Sequence, residues 1–341
     1  MGIYEIFGGI QMNKSILLVN RPTGVPALND FLIVERDMPT ISDGEILIKT
    51  KYLSVDPFMR GKMRDRESYT PPYQLNEPIG CSGIGEVIES KNPKFQVGDM
   101  VSAVISWSEY NVGNDLTVRK LNPEIPFTTA QGILGMTGRT AYFGLLHKGQ
   151  PNEGETVVIS GAAGAVGTVV GQIAKLKGCR VVGICGSDEK GQYLINELGF
   201  DAVVNYKTEN IREALKHHCP NGIDIYFDNV GGDITDQVVS LINFGARIVI
   251  CGAISEYNSA EVSVGPRLFP KLLNKSASAH GFIVNDFDHI RHEADHQLHE
   301  WVLEGKIKSK ETIIEGFENT VPAFLSLFEG GNIGKLLVKV Y

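Results

Sequence analysis

Two stretches of this chain carry residue types at spacings that do chemistry. The first is a glycine turn, Gly161-Ala-Ala-Gly164-Ala-Val-Gly167, which follows the β-branched apolar run Thr156–Ser160 and opens a helix reaching to about Lys177. Strand, tight turn and helix in that order seat the pyrophosphate of a dinucleotide, because the helix N-terminus offers free N–H groups and a partial positive charge. Without a Cβ, Gly164 lets the backbone approach the phosphates, and Gly167 lets helix and strand pack closely. Ala162 stands where the G-x-G-x-x-G pattern has its first glycine. As a bare string the pattern reads equally as a structural turn. Its context favours the nucleotide, since a second strand, Arg180–Cys185, follows at βαβ distance.

The second stretch is His292-Glu-Ala-Asp-His296, which satisfies H-E-x-x-H, the pattern that grips zinc between two histidines of one helix face. Helical geometry argues against that chemistry. Phe287, Ile290, Ala294, Leu298 and Trp301 fall within a stripe of roughly 80° at about 100° per residue, the face expected to be buried. His289, His292, His296 and His299 fall on the opposite face, where nothing apolar would support a ligand shell. A metallohydrolase is the remote alternative, and no metal is expected.

The elements that must position the glycine turn can be read on either side of it. From about Ser15 to Asn122 the texture is that of a β-rich domain, with Glu45–Tyr52, Gly83–Glu89 and Met100–Ile105 as strands broken by Pro and Gly. From about Gln131 helix and strand alternate. A helix over Gly138–Leu146 precedes the turn, and Ala202–Asn205, Ile223–Phe227, Ala246–Cys251 and Ala279–Ile283 are further strands. This is a doubly wound α/β sheet. The last segment ends in Lys335-Leu-Leu-Val-Lys-Val-Tyr341, a strand that could return to the first domain.

The 341 residues imply two domains. A net charge of −8 argues against general affinity for nucleic acid or anionic membrane surfaces. No apolar run is long enough to span a bilayer. Met1–Gln11 lacks the features of a signal peptide and reads as a tag or N-terminal extension, with Met12 as a natural start. Cys81, Cys179, Cys185, Cys219 and Cys251 form no C-x-x-C pair, so neither a disulfide framework nor structural zinc is expected, and a reduced cytoplasmic setting is the simplest reading.

A series of blocks in order resembles one family. They are Leu53-Ser-Val-Asp-Pro-Phe-Met-Arg60, Gly135-Met-Thr-Gly-Arg-Thr-Ala-Tyr142, Ala162-Ala-Gly-Ala-Val-Gly167, Gly186-Ser-Asp-Glu-Lys190, Asn205-Tyr-Lys207, Tyr226-Phe-Asp-Asn-Val-Gly-Gly232, Cys251-Gly-Ala-Ile-Ser-Glu-Tyr257 and Gly331-Asn-Ile-Gly-Lys335. The chain resembles the zinc-independent medium-chain dehydrogenase/reductases, within them the leukotriene B4 12-hydroxydehydrogenase, prostaglandin reductase and 2-alkenal reductase group. The resemblance implies a GroES-like β-barrel catalytic domain (12–130 and 306–341) interrupted by a Rossmann domain (131–305), with the active site between them. It also implies a homodimer and NADPH-dependent reduction of the C=C bond of α,β-unsaturated aldehydes and ketones. Quinone reduction on the same fold is the runner-up, and a non-catalytic NADPH-binding or redox-sensing protein is the alternative of another class.

The residues alone leave the cofactor open. The second strand ends Ile184-Cys185-Gly186-Ser187 without an acid at its tip, but Asp188 and Glu189 follow closely. Lys190 could reach a 2′-phosphate, or be a surface lysine opening a helix after the N-cap-like Ser187. The resemblance favours NADPH. It carries cofactor contacts to Thr137, Ala163, Gly164, Ala165, Val166, Gly167, Gly186, Ser187, Lys190, Tyr206, Asn229, Cys251, Gly252, Ala253, Ile254, Phe282, Ile283, Val284 and Asn332. Reduction of an enone builds negative charge on its carbonyl oxygen, which a donor in a water-poor cleft must stabilise. The resemblance gives that role to Tyr257, whose phenol would donate to the enolate oxygen or supply the proton; the alternative is a wall residue that only positions cofactor. Tyr52 lines the substrate pocket by the same resemblance, or packs in the barrel. Asp56 and Arg60 read as a structural pair around the Pro57 turn, and loops 64–74 and 256–269 shape the pocket.

Overall fold

The computed structural model describes residues 12–341; the first eleven, read above as a tag or extension, lie outside the described residues. Six parallel strands form one sheet, in the order Ala202–Asn205, Arg180–Cys185, Thr156–Ser160, Ile223–Asp228, Ile242–Ile250 and Ser278–Gly281. Taken in chain order this runs 3-2-1-4-5-6, the doubly wound arrangement, whose strand order reverses between Thr156–Ser160 and Ile223–Asp228. Every residue of Thr156–Ser160 is buried, as a strand covered by helices on both faces requires. Alternation divides its side chains between two cores. Val157 and Ile159 pack with Val170, Phe200, Leu298 and Trp301, while Val158 packs with Val182, Leu215, Tyr226 and Val238. The helix Gly167–Leu176 follows the glycine turn and is buried from Gly167 through Ala174.

A second sheet is mainly antiparallel. Its order is Glu311–Glu315, Lys335–Lys339, Glu45–Ser54, Gly80–Ser90, Met100–Ser106 and Val118–Lys120, with Tyr110–Asn114 also paired to Glu45–Ser54. A two-stranded ribbon, Met12–Leu18 with Phe31–Asp37, joins the same core through Ile16, Leu18 and Phe31. Phe31, Trp107 and Phe324 pack ring on ring at its centre. Lys335–Lys339 lies antiparallel to Glu45–Ser54, pairing Leu337 with Ser54 and Lys339 with Tyr52, so the end of the chain joins the sheet formed by its beginning.

Two local expectations need correction. The helix expected over Gly138–Leu146 is an α-helix over Met136–Phe143 that widens into a π-turn over Gly144–Gly149. A Cβ on Gly144 would stand 2.6 Å from Phe282 and 2.8 Å from Phe227, so the backbone at this glycine is pressed against two rings. Asp56 and Arg60 are not a pair. Arg60 turns to the carbonyl oxygens of Pro22 (3.0 Å) and Gly24 (2.8 Å) and to Asn258 Oδ1 (3.0 Å). Asp56 instead receives Lys335 Nζ and Ser54 Oγ, and Lys335 also donates to the Val55 carbonyl at 3.1 Å. Lysine wins because its strand lies against Ser54, which brings its ammonium to the Asp56 turn from the sheet interior.

The Asp56–Lys335 pair is almost fully buried. Removing one partner strands the other charge away from water, which costs about 3–5 kcal/mol. Asp56→Ala should therefore lower the unfolding free energy by that amount in urea titration, and Lys335→Met combined with Asp56→Leu should recover most of it.

Candidate active site

The parallel strands end at a cleft that faces the second sheet. Its volume is about 1720 Å³, well above the roughly 300–1,000 Å³ that one small ligand fills. One wall carries Gly161, Ala163–Gly167, Gly186, Ser187, Asn229–Gly232, Cys251, Gly252 and Ile254. The other carries Val55–Phe58, Tyr69–Pro71, Leu327–Gly330 and Lys335. The cleft thus opens at the reversal of strand order, where doubly wound sheets bind their ligands.

The glycine turn is shaped by close contact. Gly161 holds a φ of +58°, a left-handed conformation that favours glycine. A Cβ on Gly167 would meet the Gly161 carbonyl oxygen at 2.4 Å and Ala162 Cα at 2.7 Å, so only glycine fits where helix meets turn. Ala162 is fully buried beneath it, packed against the Gly183 backbone. The N–H groups of Val166 and Gly167 have no intramolecular acceptor among the described residues, while Ala165 N–H faces the Gly334 carbonyl in a parallel bridge. Two such donors at the start of a helix fit a phosphate. From the other domain, the Gly334 N–H donates to the Ala163 carbonyl at 2.8 Å, and Asn332 Nδ2 donates to the Gly334 carbonyl at 2.7 Å, fixing that loop against the turn.

Asp228 organises the floor. It is buried, and it accepts from Ser160 Oγ, Tyr226 Oη, Thr235 Oγ1 and the N–H groups of Val230 and Gly231. Asn229 in turn donates its backbone N–H to Ser160 Oγ and its side-chain amide to the Ser160 carbonyl. Asp228 lies inside the Tyr226–Gly232 block, but the residue types there point to no role for it. A lone buried acid at a strand end gave no pattern to find it by.

At one end of the cleft, Ser187 caps the helix Asp188–Asn196, its Oγ accepting from the Lys190 N–H at 3.3 Å. Asp188, the carboxylate that could have favoured NADH, accepts instead from Asn205 Nδ2 at 2.8 Å. Lys190 lines the cleft beside Lys207 and Tyr206, and its ammonium donates to the Gly330 carbonyl at 2.8 Å. Burial holds that ammonium below the ordinary lysine value, with Lys207 pushing the same way. The Gly186 backbone lies under the Tyr206 ring, where a Cβ would come within 2.9 Å of its oxygen. Two lysines and a tyrosine grouped at the tip of the second strand fit a 2′-phosphate better than a bare ribose.

Tyr257 lines the cleft at the opposite end. Its oxygen accepts from the Ala253 N–H at 3.3 Å, over the Cys251–Ala253 turn, where a Gly252 Cβ would reach it at 3.0 Å. Burial raises its pKa, so the phenol stays protonated and able to donate. Burial likewise pushes the neighbouring Cys251 thiol up to about 12, with Asp228 adding to the effect. Thr137, Phe282, Ile283, Val284 and Asn332 share the cleft. Ala253 lies just behind its wall and contributes the N–H to Tyr257. Tyr52 does not line the cleft: it sits on Glu45–Ser54, paired with Ile84 and Lys339 in the second sheet. Tyr69 and Phe58 line the wall instead, and the sequence reading had them only as parts of a loop and a block.

The H-E-x-x-H helix is elsewhere. His289, His292 and His296 are exposed, while Ala294, Leu298 and Trp301 face the core. Asp295 of that motif is occupied by Arg139, Arg291 and Arg119. Among the described residues no group of three or more His, Cys, Asp or Glu side chains is placed to hold a metal ion. Nor is any helix of the described residues long and apolar enough to cross a membrane.

Comparison with known proteins agrees with this geometry. Residues 14–121 match a family described as the N-terminal domain of oxidoreductase, and residues 165–302 one described as zinc-binding dehydrogenase. An NADPH-dependent curcumin reductase of Escherichia coli is 42% identical over 337 residues, covering 97% of this chain and 97% of its own. Prostaglandin reductase 1 of Bos taurus is 41% identical over 334 residues, covering 96% and 98%. The crystal structure of CurA from Vibrio vulnificus in complex with NADPH superimposes with a TM-score of 0.91 at 41% identity, covering 96% of this chain and 99% of that one.

Lys190→Ala should raise the Kd for NADPH about tenfold, or about 1.4 kcal/mol, and leave that for NADH nearly unchanged. In the unaltered protein, NADPH binding should weaken as pH rises through the lowered Lys190 pKa, because the cation is lost there. NADH binding should not follow that profile. Isothermal titration with both cofactors across pH checks both statements.

Proposed function

The chain belongs to the zinc-independent medium-chain dehydrogenase/reductases and is an NADP-dependent oxidoreductase, and from that premise we propose that it reduces the C=C bond of α,β-unsaturated aldehydes and ketones. The observation that carries the reading is the position of Tyr257, a half-buried, protonated phenol at the end of the cleft remote from Lys190. NADPH, when bound, supplies a hydride to the β-carbon of the substrate. What the chain supplies is a seat, a donor and exclusion of water. Ala163–Gly167 would take the pyrophosphate, while Lys190 and Tyr206, joined by Lys207, would take the adenosine 2′-phosphate end. Thr137, Asn229, Cys251–Ile254, Phe282–Val284 and Asn332 would surround the nicotinamide half.

Tyr257 would donate to the carbonyl oxygen as enolate charge builds there. A neutral donor in a half-buried cleft stabilises developing charge more than it does a ground-state carbonyl. The raised phenol pKa keeps the proton on oxygen until that charge appears. Phe58, Tyr69, Thr70 and Pro71 would form the substrate side of the cleft. The protonated Cys251 thiol is a poor nucleophile, which suits a site that must admit electrophilic enals without being alkylated.

Residues 131–305 serve as the cofactor domain in this reading, with 12–130 and 306–341 as the catalytic domain. Dimerisation would use the Ser278–Gly281 edge, where the parallel sheet ends. Val262 and Val264 are 91% and 96% exposed, and Phe269 and Leu273 82% and 81%, in the chain just before that edge. Sedimentation should give twice the mass of one chain, and Phe269→Glu with Leu273→Glu should give a monomer. The five cysteines are all free.

Loss of absorbance at 340 nm with NADPH and a short enone tests the activity. Tyr257→Phe should lower kcat by roughly 10²-fold, in the range of a lost oxyanion donor, with little change in the KM for NADPH. Turnover of quinones alone would transfer the reading to a quinone reductase. NADPH binding without turnover of any acceptor would leave a cofactor-binding protein.

A further inference from the structure

The loop that carries Tyr257 has little structure of its own. Between Ile250 and Phe269 the chain forms neither helix nor strand, and its local bonds are short turns such as Glu256 N–H to the Ala253 carbonyl and Ser259 N–H to the Glu256 carbonyl. Its first part is held to its own domain, the Ile254 and Ser255 N–H groups donating to the Asn229 and Val230 carbonyls and the Ala253 N–H to the Tyr257 oxygen. Over Tyr257–Ser259 the restraint comes from the other domain. Arg64 Nη2 donates to the Tyr257 carbonyl at 2.9 Å and to the Ser259 carbonyl at 2.7 Å. Between those two contacts, Arg60 Nε donates to Asn258 Oδ1 at 3.0 Å.

Arg60 is itself rigid. Its side chain is fully buried and tied to the Pro22 and Gly24 carbonyls, and its Nη1 has no partner. No carboxylate pairs with either guanidinium among the described residues, so both are committed to backbone and amide oxygens. Burial lowers the Arg60 pKa to about 10, and Arg64 and Arg66 add repulsion. A buried cation in this position is costly, and what it obtains for that cost is a fixed Asn258.

On the functional reading above, we propose that Arg64, braced by Arg60, is a positioning residue for Tyr257, holding the loop across the domain cleft so that the phenol meets the substrate carbonyl. Arg64 does not line the cleft itself. It acts through the peptide groups on either side of Asn258, and charge-assisted bonds to two carbonyls fix both the height and the rotation of the turn. The clamp also makes the tyrosine's position depend on how the two domains sit against each other, because the arginines belong to the second sheet's domain and the loop to the first's.

Arg64→Ala should lower kcat for an enone about tenfold while the KM values for enone and NADPH stay within about twofold, a loss confined to the transition state. Arg64→Lys, which keeps one charged donor, should recover part of that. In a double-mutant cycle, Arg64→Ala should cost nothing further in a Tyr257→Phe background, since groups that act as a unit do not add. Multiplicative losses, or a rise in the enone KM alone, would overturn the proposal, as would full activity in Tyr257→Phe, which removes the group the clamp serves. A second readout does not need turnover. Amide hydrogen exchange across 254–259 in the NADP+ complex should speed up in Arg64→Ala and stay slow in Lys216→Ala, a surface change on another helix. Unchanged exchange in Arg64→Ala also overturns the clamp, whereas a wild-type protein that reduces no enone but shows the expected exchange would overturn only the substrate reading.

Discussion

Where a Cβ on Gly167 would sit, the carbonyl oxygen of Gly161 already stands 2.4 Å away. That approach of backbone to backbone is the constraint on which the cofactor end of the molecule depends. It lets the helix start directly beneath the strand end, with the N–H groups of Val166 and Gly167 left for an anion. A larger residue would push the helix away and break the line of donors. The same economy of space recurs around the turn. Ala162 is sealed against Gly183, and Asp228 gathers the strand ends on both sides of the switch point.

The second domain is held to this frame by a series of polar contacts. Gly334 bonds to Ala163, Arg119 to Asp295, Arg64 to Tyr257, and Lys190 to Gly330. Several of the groups involved are cleft residues, so the contacts that join the domains also define the site. Junctions built from hydrogen bonds permit relative movement more readily than apolar ones. Lys190 is the clearest instance, since the ammonium that would meet a phosphate now caps a carbonyl of the opposite domain.

Much of this was legible in the sequence, for physical reasons that differ from place to place. The parallel strands are short β-branched runs between glycines, and a strand buried on both faces leaves that signature whatever surrounds it. Thr156–Ser160, Arg180–Cys185 and Ala202–Asn205 were bounded to the residue. The histidine helix could be judged by angular count alone, because its buried stripe is complete within the helix and the turn before it. Side chains whose role depends on distant partners were not legible. Arg60 lies four residues from Asp56, which invited a local pair, yet its partners come from residues 22, 24 and 258. Asp56 finds a lysine 279 positions away. Tyr52 was placed in the pocket by its neighbourhood in sequence, while the pairing of its strand puts it beside Lys339.

The central claim is that this cleft delivers a hydride to the β-carbon of an enone rather than to its carbonyl carbon or to a quinone. The direct measurement uses NADPH deuterated at C4 and a short-chain enone, followed by NMR of the product. The account predicts a saturated ketone with deuterium on the β-carbon and the carbonyl intact. Deuterium on a carbinol carbon, with the C=C bond preserved, would contradict it.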